Sequence, residues 1–244
     1  MLLKPLDGFH SAIVLLAAML LSACGGGGGI GNPTPSPQGT YDLQAAVEAL
    51  VTSGLSASVS LSGTVIVNGT SVPVTGTGTL TLSPGASGMF NGSTAQLQTE
   101  SISGTISAAG QSAPYSSSVV NAYEPSTASI VGQSQSSEFD VAQAPIAIPT
   151  TVGTSVTVLG TMSRYADSTL SVALGTVQVS VAVALIPVDP GSPEVVQFTY
   201  KIFDTNQALV ETDTYSYSLS QDNLLSFHSA ATQSASGSLT VTPE

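Results

Sequence analysis

The residues in this chain best suited to chemistry are a few carboxylates and one imidazole. Glu138 and Asp140 stand two apart, as do Glu211 and Asp213. In an extended strand that spacing puts both members of a pair on one face. Two carboxylates on a face can do acid–base work or offer oxygen ligands to a hard cation. The plainer expectation is a solvated strand face that keeps the domain soluble and discourages edge pairing. The segment Asp204-Thr-Asn206-Gln-Ala opens like a calcium loop but lacks the later ligands and the glycine. Asp204, Glu211 and Asp213 are thus the cation candidates, with no resident metal expected. A Ser–His–Asp triad would have to use His228, with Asp213 or Asp222 to orient it. The chain carries no G-x-S-x-G elbow. Leu225, Phe227 and Ser229 share a strand face, so His228 points the other way, as a surface histidine does.

Arg164 lies three residues before Asp167. The spacing suits an ion pair at a hairpin end, worth under about 1 kcal/mol when exposed. The alternative is a cationic anchor for an acidic ligand. Tyr215 and Tyr217 share a face and read as core packing rather than a sugar-stacking platform. Asn68-Gly-Thr70 and Asn91-Gly-Ser93 match the glycosylation sequon, but Asn-Gly is also the strongest short hairpin signal. Gly26, Gly28 and Gly31 spell G-x-G-x-x-G, yet no strand precedes them, so no dinucleotide site is expected.

Composition narrows the classes further. Of 244 residues only 7% are charged, against about 25% in a typical domain. Three residues are basic, Lys4, Arg164 and Lys201, and the net charge is −12. Nucleic-acid binding needs a basic patch, and this chain has none to offer. One cysteine, Cys24, excludes a disulfide framework and a thiolate zinc centre. A hydrophobic share of 42% argues against disorder.

Ala12 to Leu21 is an unbroken apolar run of the length of a signal-peptide h-region, too short for a spanning helix. Leu21-Ser22-Ala23-Cys24 follows directly and resembles the lipobox of bacterial lipoprotein precursors. The resemblance covers about a tenth of the chain. It implies cleavage between Ala23 and Cys24, acylation of Cys24 by the lipoprotein-processing machinery, and a membrane attachment made by acyl chains. Gly25 stands where an aspartate would favour inner-membrane retention, so the resemblance also implies sorting to the outer membrane in a Gram-negative host. Losing Lys4 and Asp7 together leaves the net charge at −12, so the anchor would owe nothing to basic contacts. Residues 24–40, rich in glycine and proline, read as a tether spanning roughly 20–25 Å.

The remaining residues, 41–244, read as one domain of mainly β structure. Leu43, Ala46, Val47, Leu50 and Val51 repeat at helical spacing before Gly54, predicting a short amphipathic helix from Tyr41 to Ser53. From Leu55 the period drops to two. The pattern predicts strands over 55–67 and 72–82, then near 93–106, 113–123, 128–135 and 137–142, with Pro145 and Pro149 bounding an irregular crossing. Strands follow over 156–162, 170–174 and 177–186, with a bulge at Gly175-Thr176. After a turn at Asp189-Pro190-Gly191 come 196–202, 208–219, 224–232 and 237–242. Pro73 suggests an edge position for its strand. The run from Val177, apolar on both faces, suggests a strand covered on both sides. The expected architecture is an antiparallel meander forming a curled sheet, barrel or sandwich with the helix packed on it. Helix followed by meander resembles, as architecture, the half-barrel carriers of lipoproteins. The expected role is therefore a lipid-anchored, non-enzymatic structural or interaction domain without cofactor. The alternative is a carrier of an apolar ligand between helix and sheet, and a hydrolase built on His228 comes third.

Overall fold

A computed structural model describes residues 42–185 and 193–244. The signal segment 1–23, Cys24, the tether, Tyr41 and the expected turn at Asp189–Gly191 lie outside the described residues.

The described residues open with helix α1, Leu43–Ser53. Asp42 caps it, its carboxylate accepting from the Ala45 N–H at 3.0 Å. Gly54, at φ +71°, ends it and donates to the Leu50 carbonyl. Among the described residues thirteen strands follow: β1 (Leu55–Val67), β2 (Thr70–Leu82), β3 (Ala86–Phe90), β4 (Ser93–Ala108), β5 (Gln111–Tyr123), β6 (Ile130–Gln135), β7 (Glu138–Ile146), β8 (Thr157–Tyr165), β9 (Ala173–Leu185), β10 (Glu194–Phe203), β11 (Leu209–Leu219), β12 (Leu225–Ser234) and β13 (Gly237–Pro243). Each pairs antiparallel with its neighbours, and β1 pairs with β13. A further pairing of β2 with β4, from Val74↔Ala108 to Leu82↔Glu100, closes the ring. Of the three forms left open by the sequence, the fold is a closed antiparallel barrel of twelve strands, with β3 appended to β4 alone. Closure disposes of the edges that a Ser- and Thr-rich surface has few charges to protect.

Eight strands enclose a space that side chains alone fill. Twelve enclose more, and α1 takes up the difference. Its Leu43, Ala46, Val47 and Val51 are buried in one cluster with inward residues of the barrel, among them Val59, Leu61, Leu82, Val177, Val179, Val196 and Val241. The helix is also tied at several points. Leu43 N–H donates to the Thr150 carbonyl and Asp42 N–H to Asn223 Oδ1, while Gly85 N–H and Gln98 Nε2 donate to the Val51 and Leu50 carbonyls. A second, smaller cluster of Phe90, Ala95, Ala122 and Phe139 forms on the other face of the wall. There Phe90 stacks on Phe139 at 4.7 Å between centroids and lies so near Gly132 that a Cβ would fall 2.5 Å from its ring.

Several local expectations change. The segment 170–174 is not a strand of its own: the hairpin turns through 166–172 and β9 starts at Ala173. The expected bulge falls at Leu174, skipped between Arg164↔Gly175 and Tyr165↔Ala173. Pro145 stands within β7, and the irregular crossing starts after Ile146. Pro73 belongs to a strand paired on both sides, but the β4 pairing begins only at Val74, so the missing N–H interrupts no ladder there. The outer face of β9 is only partly covered, for Ala184 is exposed. Both Asn-Gly pairs turn hairpins with positive φ at each residue, the backbone of the type I′ turn.

Candidate functional site

The inward faces of β4, β5, β7, β8, β10 and β11 carry the titratable residues. On β4 and β5, Glu100 pairs with Val119, Gln98 with Asn121 and Gln96 with Tyr123. On β10 and β11, Phe198 pairs with Tyr215 and Tyr200 with Asp213. Strand alternation then places Glu100, Asn121, Tyr123, Tyr200, Asp213, Tyr215 and Tyr217 inside the barrel. Rings meet edge to face on the diagonals, Tyr200 with Tyr215 at 5.8 Å and Phe198 with Tyr217 at 6.5 Å.

Between α1 and this wall lies a cavity of about 60 Å³, bordered by Val47 and Leu50 of the helix and by Glu100, Asn121, Tyr123, Gln133, Tyr200, Tyr215 and Tyr217 of the barrel. That is room for a few waters, far below the several hundred Å³ of an ordinary ligand pocket. The space stands where an apolar carrier would have it, but it is too small for an acyl chain and its lining mixes carboxylate, amide and phenol with apolar groups. Glu100 is half-buried and borders the cavity. Burial pushes its carboxyl up to about 7, against the opposing hydrogen bond from Asn121. Burial likewise raises the Tyr115 phenol to about 12, and raises those of Tyr123, Tyr200, Tyr215 and Tyr217. All these tyrosines are neutral at physiological pH.

Further along the lumen lie both carboxylate pairs, and here the expectation of a solvated face fails. Asp140 and Asp213 are almost fully buried, at 1% and 0% exposure. The alternation does put each pair on one face, but that face looks inward. Arg164, on β8, lies among them. Its Nη2 donates to Glu138 Oε2, and its Nε lies 3.4 Å from Asp140 Oδ1 without hydrogen-bond geometry. The expected partner, Asp167, instead accepts from Thr169 in the exposed turn. Gln133 Nε2 donates to Asp140 Oδ2 at 2.7 Å, and Thr232 Oγ1 to Asp213 Oδ1 at 3.3 Å. Asp213 Oδ2 is buried with no partner. Burial raises Asp140 to about 6 and Glu211 to about 7, in both cases opposed by the Arg164 charge. Burial and the neighbouring Glu211 push Asp213 up as well.

The cation candidates do not assemble. Asp204 is exposed, and its carboxylate accepts from the Asn206 and Ala208 N–H groups of its own turn, which lowers its pKa. Among the described residues no three carboxylate, imidazole or thiol groups converge to hold a metal. Nor does a triad form: His228 is exposed, while Asp213 faces the lumen. Tyr217 belongs to the core and Tyr215 packs against it, as expected, and both also border the cavity. Sequence reasoning passed over Glu100, Asn121, Tyr123 and Tyr200. The signal for Glu100 was its strand: a lone acid in phase with Ile102 and, across the ladder, with Leu82.

No protein-family model matches the chain, and no curated protein does. One solved structure, described provisionally as an outer membrane lipoprotein-sorting protein domain from Vibrio parahaemolyticus, aligns over 83% of this chain and 90% of its own, with 10% identity and a TM-score of 0.25. A match at that distance assigns neither fold nor role.

Proposed function

We propose that this chain is an exported lipoprotein, attached to the outer membrane by acyl chains on Cys24, whose barrel is a non-enzymatic binding module for a small ligand. The observation that supports the binding role is the cavity beneath α1, where one carboxylate, three amides and four tyrosines converge among apolar side chains. Buried polar groups cost free energy unless partnered, and a cluster of them around an open space is the usual form of a recognition site. Its volume favours a head-group-sized ligand over the long apolar chain of a carrier. The lipobox supports the anchor, and the glycine-proline segment before α1 would hold the barrel off the membrane surface.

The test is thermal denaturation of the mature lipoprotein against small cations, anions, neutral polar compounds and hydrocarbons. Val47→Phe, which fills the cavity from the helix side, is the control. Overpacking of this kind costs about 1–3 kcal/mol, so the variant should still fold. The expected result is a concentration-dependent rise in Tm for one class with the wild type and none with the variant. Equal behaviour of both proteins across every class would overturn the binding role.

A further inference from the structure

We infer that the cavity selects a small organic cation, an ammonium group on a short carbon stem, with Glu100 as its counter-ion and the rings of Tyr200 and Tyr215 as its walls. This deepens the binding role proposed above and rests on it. Three observations lead here. Glu100 borders the cavity, and its carboxylate takes a hydrogen bond from the neutral Asn121. Among the described residues the lumen holds Glu138, Asp140, Glu211 and Asp213 against the single guanidinium of Arg164, which is engaged by Glu138 and Asp140. Acidic groups there outnumber the one guanidinium, and Asp213 Oδ2 is buried with no hydrogen-bond partner. The cavity is also bordered by Tyr123, Tyr200, Tyr215 and Tyr217, and aromatic faces attract a cation most strongly where water is excluded.

Size and sign then decide the class. The space of about 60 Å³ suits an ammonium head and little more. An anion would meet Glu100 at close range and in low dielectric. A neutral molecule of the same shape would fill the space but leave the carboxylate without a counter-ion. No metal is implied, because the other cavity polar groups are amides and phenols rather than a converging set of anionic oxygens.

The experiment titrates the mature lipoprotein, in a non-ionic detergent without choline, with two matched pairs: choline against 3,3-dimethylbutan-1-ol, and ethanolamine against ethylene glycol. Isothermal calorimetry reads the affinities. The expected result is that at least one cation binds roughly tenfold or more tighter than its neutral match. The isosteric Glu100→Gln should abolish the difference. The pairs compared on the wild type keep the test valid should that variant not fold. Short-chain phosphatidylethanolamine, below its micelle concentration, separates the two sources of such a head: binding of ethanolamine alone assigns a free amine, and binding of both assigns a lipid head group. Neutral and cationic members binding equally would overturn the cation and leave the binding module standing. No binding by any member, with no class raising the Tm above, would overturn both.

Discussion

Arg164 and Asp140 face one another across the β7–β8 ladder, Nε and Oδ1 3.4 Å apart, with both side chains sealed inside the barrel. They sit at the centre of a group in which Glu138, Glu211 and Asp213 add further negative charge. Removing one partner of a buried pair leaves an uncompensated charge and costs about 3–5 kcal/mol. Arg164→Met should therefore destabilise the domain by about that amount at pH 7, measured by urea denaturation. The loss should shrink at pH 5, where Asp140 and Glu211 hold protons and need no cation. An equal loss at both pH values would mean that Arg164 contributes packing rather than charge.

Stability should also depend on pH in a direction opposite to that of a domain with salt-bridged surface acids. Glu100 and Glu211 are held up at about 7 and Asp140 at about 6, whereas unfolded carboxyls titrate near 4. Between those limits the folded form holds more protons than the unfolded one, so raising the pH favours unfolding. The Tm should be highest near pH 4–5, fall as the pH climbs towards 7 and flatten above it. With about 2–4 °C per kcal/mol for a domain of this size, the fall should be several degrees. Glu211→Gln should raise the Tm at pH 8 and leave it unchanged at pH 4. A profile that rises from pH 5 to pH 8 would contradict this electrostatic account.

The helix should report on the barrel's filling. Leu43 is 1% exposed, and its truncation to alanine opens a void against the inner wall. Leu43→Ala should cost about 2–5 kcal/mol. Asp42→Ala, which removes only the cap, should cost about 1 kcal/mol. Chemical denaturation of the two variants checks the ratio. Near-equal losses would place the helix's contribution in its cap and not in its buried stripe.

The anchor is tested at Cys24. Cells fed labelled palmitate should incorporate it into the wild type and not into Cys24→Ala. Two or three acyl chains, each burying methylenes worth about 0.8 kcal/mol, make attachment effectively permanent, so the variant should also move to the soluble fraction. Labelling of the variant at the wild-type level would overturn the lipidation.

What the sequence made legible was period; what it hid was direction. Alternation located every long strand, the two Asn-Gly turns and the helical stripe of α1, because each depends on residues close in the chain. The same alternation put Glu211 and Asp213 on one face but could not tell the inner face from the outer. Acids on a strand are normally solvated, and only the partners across the ladder, Tyr200 and Ile202, reveal that this face looks inward. Arg164 was assigned to Asp167 for the same reason: the nearer acid in sequence lies beyond the hairpin, whereas Glu138 and Asp140 arrive from β7. The short β3 and the β2–β4 pairing were illegible because Ser83-Pro84-Gly85 reads as a simple turn. In the barrel it is a junction at which β4 changes partner from β3 to β2.

The ring has one seam that closes at long range. β1 finds its second partner in β13, with Leu61 opposite Val241 and Val65 opposite Gly237, whereas the hairpins pair strands adjacent in the chain. A chain delivered N-terminus first can zip β4 to β12 as they arrive, but the β1–β13 seam stays open until the final segment has been delivered. Enclosure of the acidic lumen thus cannot precede the delivery of β13. Until then Glu100, Asp140 and Asp213 remain in contact with water, and their desolvation is deferred to the step that also commits the barrel to its closed form.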